Sequence, residues 1–207
     1  SVDDSLFLYH DVCTNGIGYV DMMFKTDSIA PEQIPYLGLL KSVLGYVDTQ
    51  AHTYGELFNE INASTGGISC GVEVFDRADS TEEFQALFSV RGKALYPKLG
   101  FLFKMAEEIL GTSKVEDTKR LYEIIAAVKS RAQASLTGAG HSTAVLRATS
   151  YSSPMAAFQD EMAGIGYYQF IEKLEKDFDQ QKDLIVQELR KLMKMILRPE
   201  NFMISYT

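Results

Sequence analysis

The stretch from Ile34 to Phe75 constrains the fold more than any other part of this chain. It begins with a run from Ile34 to Gly45 that is apolar nearly all round the helical wheel. Such a pattern predicts a helix that is buried on most of its surface. Thr53, followed three residues later by Glu56, has the spacing of a capping box and predicts the start of a second, shorter helix.

The same stretch continues into a strand. Gly66-Gly67 interrupts the helical pattern and lets the backbone turn, and the alternating segment Ile68 to Phe75 follows at once. Another alternating segment, Gly16 to Thr26, precedes the first helix. The chain therefore contains a strand–helix–helix–strand unit, and we expect the remaining segments to pack on it.

Further strands are predicted on both sides of this unit. Ser5 to Cys13 alternates, and Thr14-Asn15-Gly16 is a typical type I′ turn, so a hairpin with the strand Ile17 to Thr26 is expected. Glu83 to Lys93 reads as a strand after a polar turn over Asp76 to Ser80. In each of these strands one side is apolar and the other is mixed.

After Tyr96 the apolar period changes to that of helices. Ser153-Pro154 predicts the start of a helix. Gly111 predicts the end of a helix, and Gly164 and Gly166 predict breaks between helices. The predicted helices and the last strand are Lys98 to Leu110, Val115 to Ser135, Ser142 to Thr149, Tyr167 to Phe178, Asp183 to Leu197 and Phe202 to Thr207. The order of elements predicts a single α+β domain over residues 1–207, with a mostly antiparallel sheet and helices packed on one face.

The charge balance restricts the partners. The formal net charge is −8 and the sequence pI is about 4.9, so a polyanionic phosphate backbone would be repelled and nucleic acid is not expected as a partner. No apolar run is long enough for a membrane span. Asp3 and Asp4 lie where a signal peptide would be basic. The expected location is the cytoplasm or an organelle matrix.

No motif for catalysis or metal binding stands out. His10, His52 and His141 are far apart, so no HExxH or HxxEH helix is present. Cys13 and Cys70 have no metal-ligand spacing and are expected to be free thiols. Neither a phosphate-binding loop nor a GxSxG elbow is found, so the residues alone indicate a packed domain without a recognisable catalytic centre.

Several short motifs, in order, nevertheless resemble a known family. They are Thr14-Asn15-Gly16-Ile17-Gly18-Tyr19, the segment Pro31 to Leu44, Tyr54-Gly55-Glu56-Leu57, Gly66-Gly67-Ile68, Gly140-His141 with Ala144 and Arg147-Ala148, Gly164-Ile165-Gly166-Tyr167 and Asn201-Phe202. Together they cover nearly the whole chain. The chain is similar to the pitrilysin/insulinase superfamily of zinc peptidases, and within it to the presequence-protease branch.

The resemblance implies a piece of a longer, four-domain peptidase whose two halves close over unfolded peptides. It implies that this chain is the third of the four domains. Zinc would be held by an HxxEH motif in the first domain of the parent protein, and no zinc is expected in this chain. Counted back from Gly45, the HxxEH positions fall on Tyr36, Leu39 and Leu40, which neither bind zinc nor activate water. Glu116 and Glu123 are interpreted as surface carboxylates. No catalytic or metal-binding residue is expected in this chain.

The leading hypothesis is therefore a non-catalytic domain that forms part of a peptidase chamber, with neighbouring domains of the same polypeptide and peptide substrates as its partners. The mixed sheet face is expected to look into the chamber through Tyr19, Asp21, Lys25, Glu73 and Arg91. An ordinary solvated sheet face explains the same alternation equally well. Two other hypotheses are a structural subunit of the same superfamily without peptidase activity and a stand-alone small-molecule enzyme.

Overall fold

The computed structural model describes residues 5–76, 78, 80 and 83–207. Its sheet has five strands in this part of the chain, in the order β1-β5-β2-β4-β3. Only the pair β1–β5 is parallel, so the predicted, mostly antiparallel sheet is confirmed. The strands are β1 (Leu6–Tyr9), β2 (Ile17–Lys25), β3 (Ile68–Asp76), β4 (Phe84–Leu95) and β5 (Phe202–Tyr206).

The predicted hairpin between the first two strands is wrong. The turn itself forms, with positive φ at Asn15 and Gly16, but β5 lies between β1 and β2. β5 brings Phe202 against Phe24, with ring centroids 5.1 Å apart. β1 is exposed along its whole length, so placing the C-terminal strand beside β2 buries more apolar surface than the local hairpin would.

Eight α-helices occur in the described residues. Three short 3₁₀ turns, Pro31–Gln33, Tyr96–Lys98 and Pro199–Asn201, precede α1, α3 and β5. The helices are α1 (Ile34–Val43), α2 (Tyr54–Ser64), α3 (Leu99–Thr112), α4 (Thr118–Gly138), α5 (Gly140–Thr149), α6 (Pro154–Ala163), α7 (Ile165–Lys176) and α8 (Phe178–Ile196).

Several predicted boundaries differ from the structure. Gly111 lies inside α3 and Gly166 inside α7, because a single glycine costs a helix only about 1 kcal/mol and tertiary packing outweighs that. α4 begins at Thr118, because the Asp117 side chain accepts from the Arg120 N–H and caps the helix there. The predicted strand from Ser5 ends at Tyr9. The predicted polar turn after β3 includes positions 77 and 79, which lie outside the described residues.

The capping box of α2 is present. The Thr53 hydroxyl accepts from the Glu56 N–H at 3.3 Å, and the Glu56 carboxylate accepts from the Thr53 N–H at 2.9 Å. These bonds satisfy backbone donors that have no partner within the helix. They fix the point at which the chain turns from the loop after α1 into α2.

The core lies between the sheet and the helical layer. Phe88 of β4, Leu40 of α1 and Leu102 of α3 are almost completely buried there. α1 and α6 contact β3, and α3 contacts β4. The prediction that helices pack on one face of the sheet is therefore confirmed, and the other face has a different composition.

Candidate functional site on the open face of the sheet

The face of the sheet opposite the helices is called the open face. Asp21 of β2 pairs with Arg91 of β4 and with Ser205 of β5, and Arg91 also pairs with Ser69 of β3. Side chains of paired residues point to the same side of a sheet, so these four residues form one row across it. By the same register the open face includes Tyr19, Met23, Lys25, Leu87, Ser89, Lys93, Gly71, Glu73 and Met203.

Three of the five predicted chamber-facing residues form an ion cluster. The Arg91 Nε donates to Asp21 Oδ2 at 2.8 Å, and its terminal nitrogen lies 3.0 Å from Glu73 Oε1. The hydrogen bond with Asp21 is the main reason why the pKa of Arg91 is raised. Two carboxylates and one guanidinium leave the cluster with a formal charge of −1, in the middle of a sheet face.

Two polar oxygens beside this cluster make no hydrogen bond among the described residues. They are Asp21 Oδ1 and Ser89 Oγ, and both are shielded from solvent. Gly71 of β3 makes room for the Ser89 hydroxyl, since a Cβ at that position would lie 3.2 Å from Ser89 Oγ. A buried oxygen without a partner costs free energy. Asp21 Oδ1 can accept a hydrogen bond and Ser89 Oγ can donate or accept one, so two hydrogen-bonding groups remain unused beside the cluster.

A pocket of about 470 Å³ opens where Tyr19, Asp21 and Arg91 meet the first residues of β3. Tyr19 is half exposed and lies in the wall of this pocket. Lys25 does not line it, because Lys25 pairs with Leu87 near the far end of β2. The structure thus places Tyr19, Asp21 and Arg91 in the pocket, links Glu73 to them through its ion pair with Arg91, and leaves Lys25 apart on the same face.

Sequence reasoning missed several other residues of this pocket. Lys93 could have been found, because it continues the alternation of Arg91 by two positions. Ser205 and Thr207 could not, because their place depends on the insertion of β5. Tyr19 and Thr207 exchange backbone hydrogen bonds of 2.9 and 3.0 Å, which close this end of the pocket.

The positions where the family resemblance would place a zinc motif contribute to packing in this chain. Leu39 and Leu40 are buried in the core. The ring of Tyr36 packs edge to face against that of Phe170, with centroids 4.8 Å apart. The pKa of Tyr36 is raised, mainly by burial and to a smaller extent by the negative charge of Glu188. Among the described residues, no group of three or more His, Cys, Asp or Glu side chains is arranged to hold a metal.

The other candidate ligands are spread over the surface. Glu123 pairs with Arg120 at 2.9 Å, and Glu116, which precedes α4 rather than lying on it, pairs with Arg190 at 3.1 Å. His10 follows β1. His141 lies in α5.

His52 belongs to a cluster that the sequence did not predict. Its Nδ1 lies 2.7 Å from the Glu108 carboxylate, and the Thr49 hydroxyl donates to the same carboxylate. The hydrogen bond with Glu108 raises the pKa of His52. Burial alone would raise the pKa of Glu108, but the hydrogen bonds from Thr49 and His52 outweigh it, so that pKa is lowered. The cluster ties the loop before α2 to α3.

The glycine motif that follows α6 has a structural explanation. Asp160, only 1% exposed, accepts from the N–H groups of Ile165 and Gly166 at 3.0 and 3.2 Å. Arg147 donates to the same carboxylate at 2.6 Å. A side chain at Gly164 would collide with Asp160. The motifs around Arg147 and Gly164 therefore build one buried junction between α5, α6 and α7.

Comparisons with known proteins agree with these motifs. Residues 1–174 match the family model described as peptidase M-16C associated. The chain belongs to this peptidase-associated family. Its membership confirms the resemblance to the pitrilysin-like peptidases that the sequence motifs indicated.

Curated relatives of this peptidase-associated chain are much longer than the chain itself. It is 34% identical over 206 residues to protein HypA of Clostridium perfringens, covering 100% of this chain and 21% of that protein. It is 29% identical over 188 residues to the mitochondrial presequence protease of Yarrowia lipolytica, covering 90% of this chain and 19% of the relative. The chain thus spans about a fifth of the length of the curated relatives it matches.

The fold also occurs in a solved structure. The crystal structure of a conserved protein from Enterococcus faecalis V583 matches with a TM-score of 0.64 at 11% identity, covering 97% of this chain and 45% of the other. At that identity the match supports the fold alone. Within the described residues of the peptidase-associated chain, no helix has both the length and the apolarity that a membrane crossing requires.

Proposed function

We propose that this chain is a non-catalytic domain that forms part of the chamber wall of a zinc-dependent metalloendopeptidase, which degrades unfolded peptides. The observation that carries the proposal is the open face. Helices cover one side of the sheet, and the other side presents the Asp21–Arg91–Glu73 cluster beside a pocket of about 470 Å³. A sheet face with fixed charges on partly exposed side chains suits transient contact with peptide backbones.

The residues of this chain fit a wall better than a catalytic centre. Leu39 and Leu40 fill the core where a zinc motif would place its Glu and second His. Zinc would be held by the first domain of the parent polypeptide, and the neighbouring domains of that polypeptide would enclose the peptide. The expected location of the whole protein is the cytoplasm or an organelle matrix.

The test uses the full polypeptide that carries this chain and measures cleavage of an unfolded peptide. Arg91→Met and Asp21→Asn are compared with Arg190→Met, which alters a half-exposed arginine outside the open face. We expect the two open-face variants to raise KM several-fold, with kcat and zinc content unchanged. Unchanged KM in both variants would contradict a chamber role for this face.

The second hypothesis, a structural subunit without peptidase activity, makes a different prediction for the same experiment. The full polypeptide would then bind no stoichiometric zinc and cleave no peptide. Zinc content measured by atomic emission, together with the cleavage assay, separates the two. Stoichiometric zinc or turnover in the isolated 207-residue chain would instead favour an enzyme and contradict both.

A further inference from the structure

The outer edge of β3 is a long backbone edge without a partner strand. β3 is the last strand of the sheet and pairs only with β4 in the described part of the chain. It has nine residues, whereas β1 at the opposite edge has four. Unpaired N–H and C=O groups along such an edge are a template for another strand.

A groove of about 440 Å³, the edge groove, runs along this strand. It is lined by seven consecutive residues, Gly67 to Glu73, on one side and by Phe58 and Asn62 of α2 on the other. Successive residues of a strand point to opposite faces. A groove that touches all seven must therefore follow the edge of the strand and not one of its faces.

Two cations line the edge groove without an anionic partner. The side chains of Lys41 of α1 and Arg131 of α4 form no hydrogen bond or ion pair with any described residue. Burial lowers the pKa of Lys41, since no nearby charge compensates it. In a chain with 28 acidic and 20 basic residues, two basic groups left unpaired in one groove favour an anionic ligand.

A buried hydroxyl lies near one of these cations, Arg131. Tyr167 is only 5% exposed, and its hydroxyl makes no hydrogen bond among the described residues. Burial raises the pKa of Tyr167, while Ser42 and Arg131, both of which line the edge groove, act in the opposite direction. The Ser42 hydroxyl already donates to the Gly38 carbonyl at 3.3 Å. The unpaired groups that line this end of the groove, Lys41 and Arg131, are donors only, as a carboxylate requires.

We propose that the edge groove binds an extended peptide segment from a separate polypeptide, which adds to β3 as a further strand and places an acidic side chain against Lys41 and Arg131. Tyr46 and Phe58, which are 52% and 60% exposed, flank the groove and would contact apolar side chains of the peptide. Main-chain hydrogen bonds between the peptide and β3 supply the binding affinity, and the two cations supply the preference for an acidic side chain. This site does not depend on the proposed chamber role. Its wall shares Ser69, Gly71 and Glu73 with the open face, but the cations that select the ligand come from α1 and α4 on the helical side of the sheet.

The test measures binding of a fluorescent decapeptide of alternating Val and Thr with one central Glu to the purified 207-residue chain, by anisotropy. We expect the Glu peptide to bind about tenfold more tightly than a matched Gln peptide, and a Lys peptide to bind more weakly still. Lys41→Met and Arg131→Gln should each remove most of that preference. Lys173→Met, at an exposed lysine of α7 outside the groove, is the matched control and should change nothing.

Strand addition has its own test, which needs no protein variant. Two versions of the Glu peptide are compared. One carries N-methyl groups on its odd-numbered residues, and the other carries them on its even-numbered residues. Only alternate N–H groups of an added strand face its neighbour, so one methylated peptide should lose binding and the other should keep it. Equal binding by both, or no preference for Glu, overturns the proposal.

Other occupants of the groove give different outcomes. If a second copy of this chain fills it, light scattering shows a dimer that Lys41→Met dissociates, and the peptide does not bind. If a segment of the parent polypeptide fills it, the peptide binds the 207-residue chain but not the full polypeptide. Either result overturns a peptide site for separate polypeptides. Both leave the chamber proposal unaffected, since its readout is KM in the open-face variants.

Discussion

Two arginine–aspartate pairs in this molecule have similar chemistry and opposite surroundings. The Arg147–Asp160 pair is at a helix junction, with Asp160 1% exposed and each carboxylate oxygen bonded to a backbone N–H. The Arg91–Asp21 pair is on the open face, with side chains 49% and 23% exposed, and one Asp21 oxygen has no hydrogen bond among the described residues. The first pair completes the fold. The second is partly exposed, so its charges remain accessible to a contacting molecule.

The largest expected effect is at the buried pair. Asp160→Ala leaves two backbone N–H groups and a guanidinium without their acceptor, so we expect a loss of about 3 kcal/mol in the free energy of unfolding. Urea unfolding followed by circular dichroism measures it. Asp179→Asn, at a carboxylate that is 96% exposed, should stay within about 0.5 kcal/mol of the parent chain. Equal losses in both would show that the junction is not specially stabilised.

The glycine beside Asp160 gives the next largest effect. Gly164→Ala forces a methyl group against the Asp160 carboxylate, and we expect it to cost about 2 kcal/mol of unfolding free energy. Gly100→Ala is the matched control, because nothing lies within 4 Å of a Cβ at that position in α3. The control should be neutral or slightly stabilising. A neutral Gly164→Ala would contradict the close approach.

A smaller effect is expected on the open face. Arg91→Met should lower the free energy of unfolding by about 1 kcal/mol or less, because water screens a half-exposed pair. The same urea experiment measures it. A loss as large as that of Asp160→Ala would mean that the open-face cluster is structural. It would remove the contrast on which the chamber proposal rests.

The His52–Glu108 pair should show the smallest effect, as a pH dependence of less than about 1 kcal/mol. The pKa of His52 is raised above its ordinary 6.5, so its contribution is present below that value and is lost as pH rises through the raised pKa. The pKa of Glu108 is lowered from 4.5, so its contribution is present above that value and is lost as pH falls through the lowered pKa. The stability difference between the parent chain and His52→Gln should therefore be greatest between these two ordinary values.

Denaturant midpoints measured from about pH 4 to pH 9 test this dependence. His141→Gln is the control, because His141 lies in an exposed part of α5. It should leave the pH profile of the parent chain unchanged. A flat difference between the parent chain and His52→Gln across the range would show that the pair contributes nothing to folding.

Much of the fold was predictable because its signals are local. Alternation placed Val20, Met22 and Phe24 on one face of a strand, and the structure buries all three. The Thr53–Glu56 spacing placed the start of α2 correctly. The glycines were less informative, because Gly111 and Gly166 lie inside helices whose packing outweighs their low propensity.

The candidate sites were predictable only in part. Alternation placed Asp21, Glu73 and Arg91 on the open face, but strand register brought them into contact. The edge groove was not predicted at all, because Lys41, Phe58 and Arg131 come from three helices. No local pattern relates residues so far apart in the chain.

By itself, the sequence determined the element types, the apolar faces and the family, because periodicity, capping and turn chemistry depend on neighbouring residues. The tertiary structure alone decided that β5 separates β1 from β2, that Arg91 joins two carboxylates, and that β3 ends the sheet beside two cations unpaired among the described residues. The physical reason is that burial of apolar surface is summed over the whole chain. A turn as favourable as Asn15-Gly16 therefore yields to a strand that arrives from the other end.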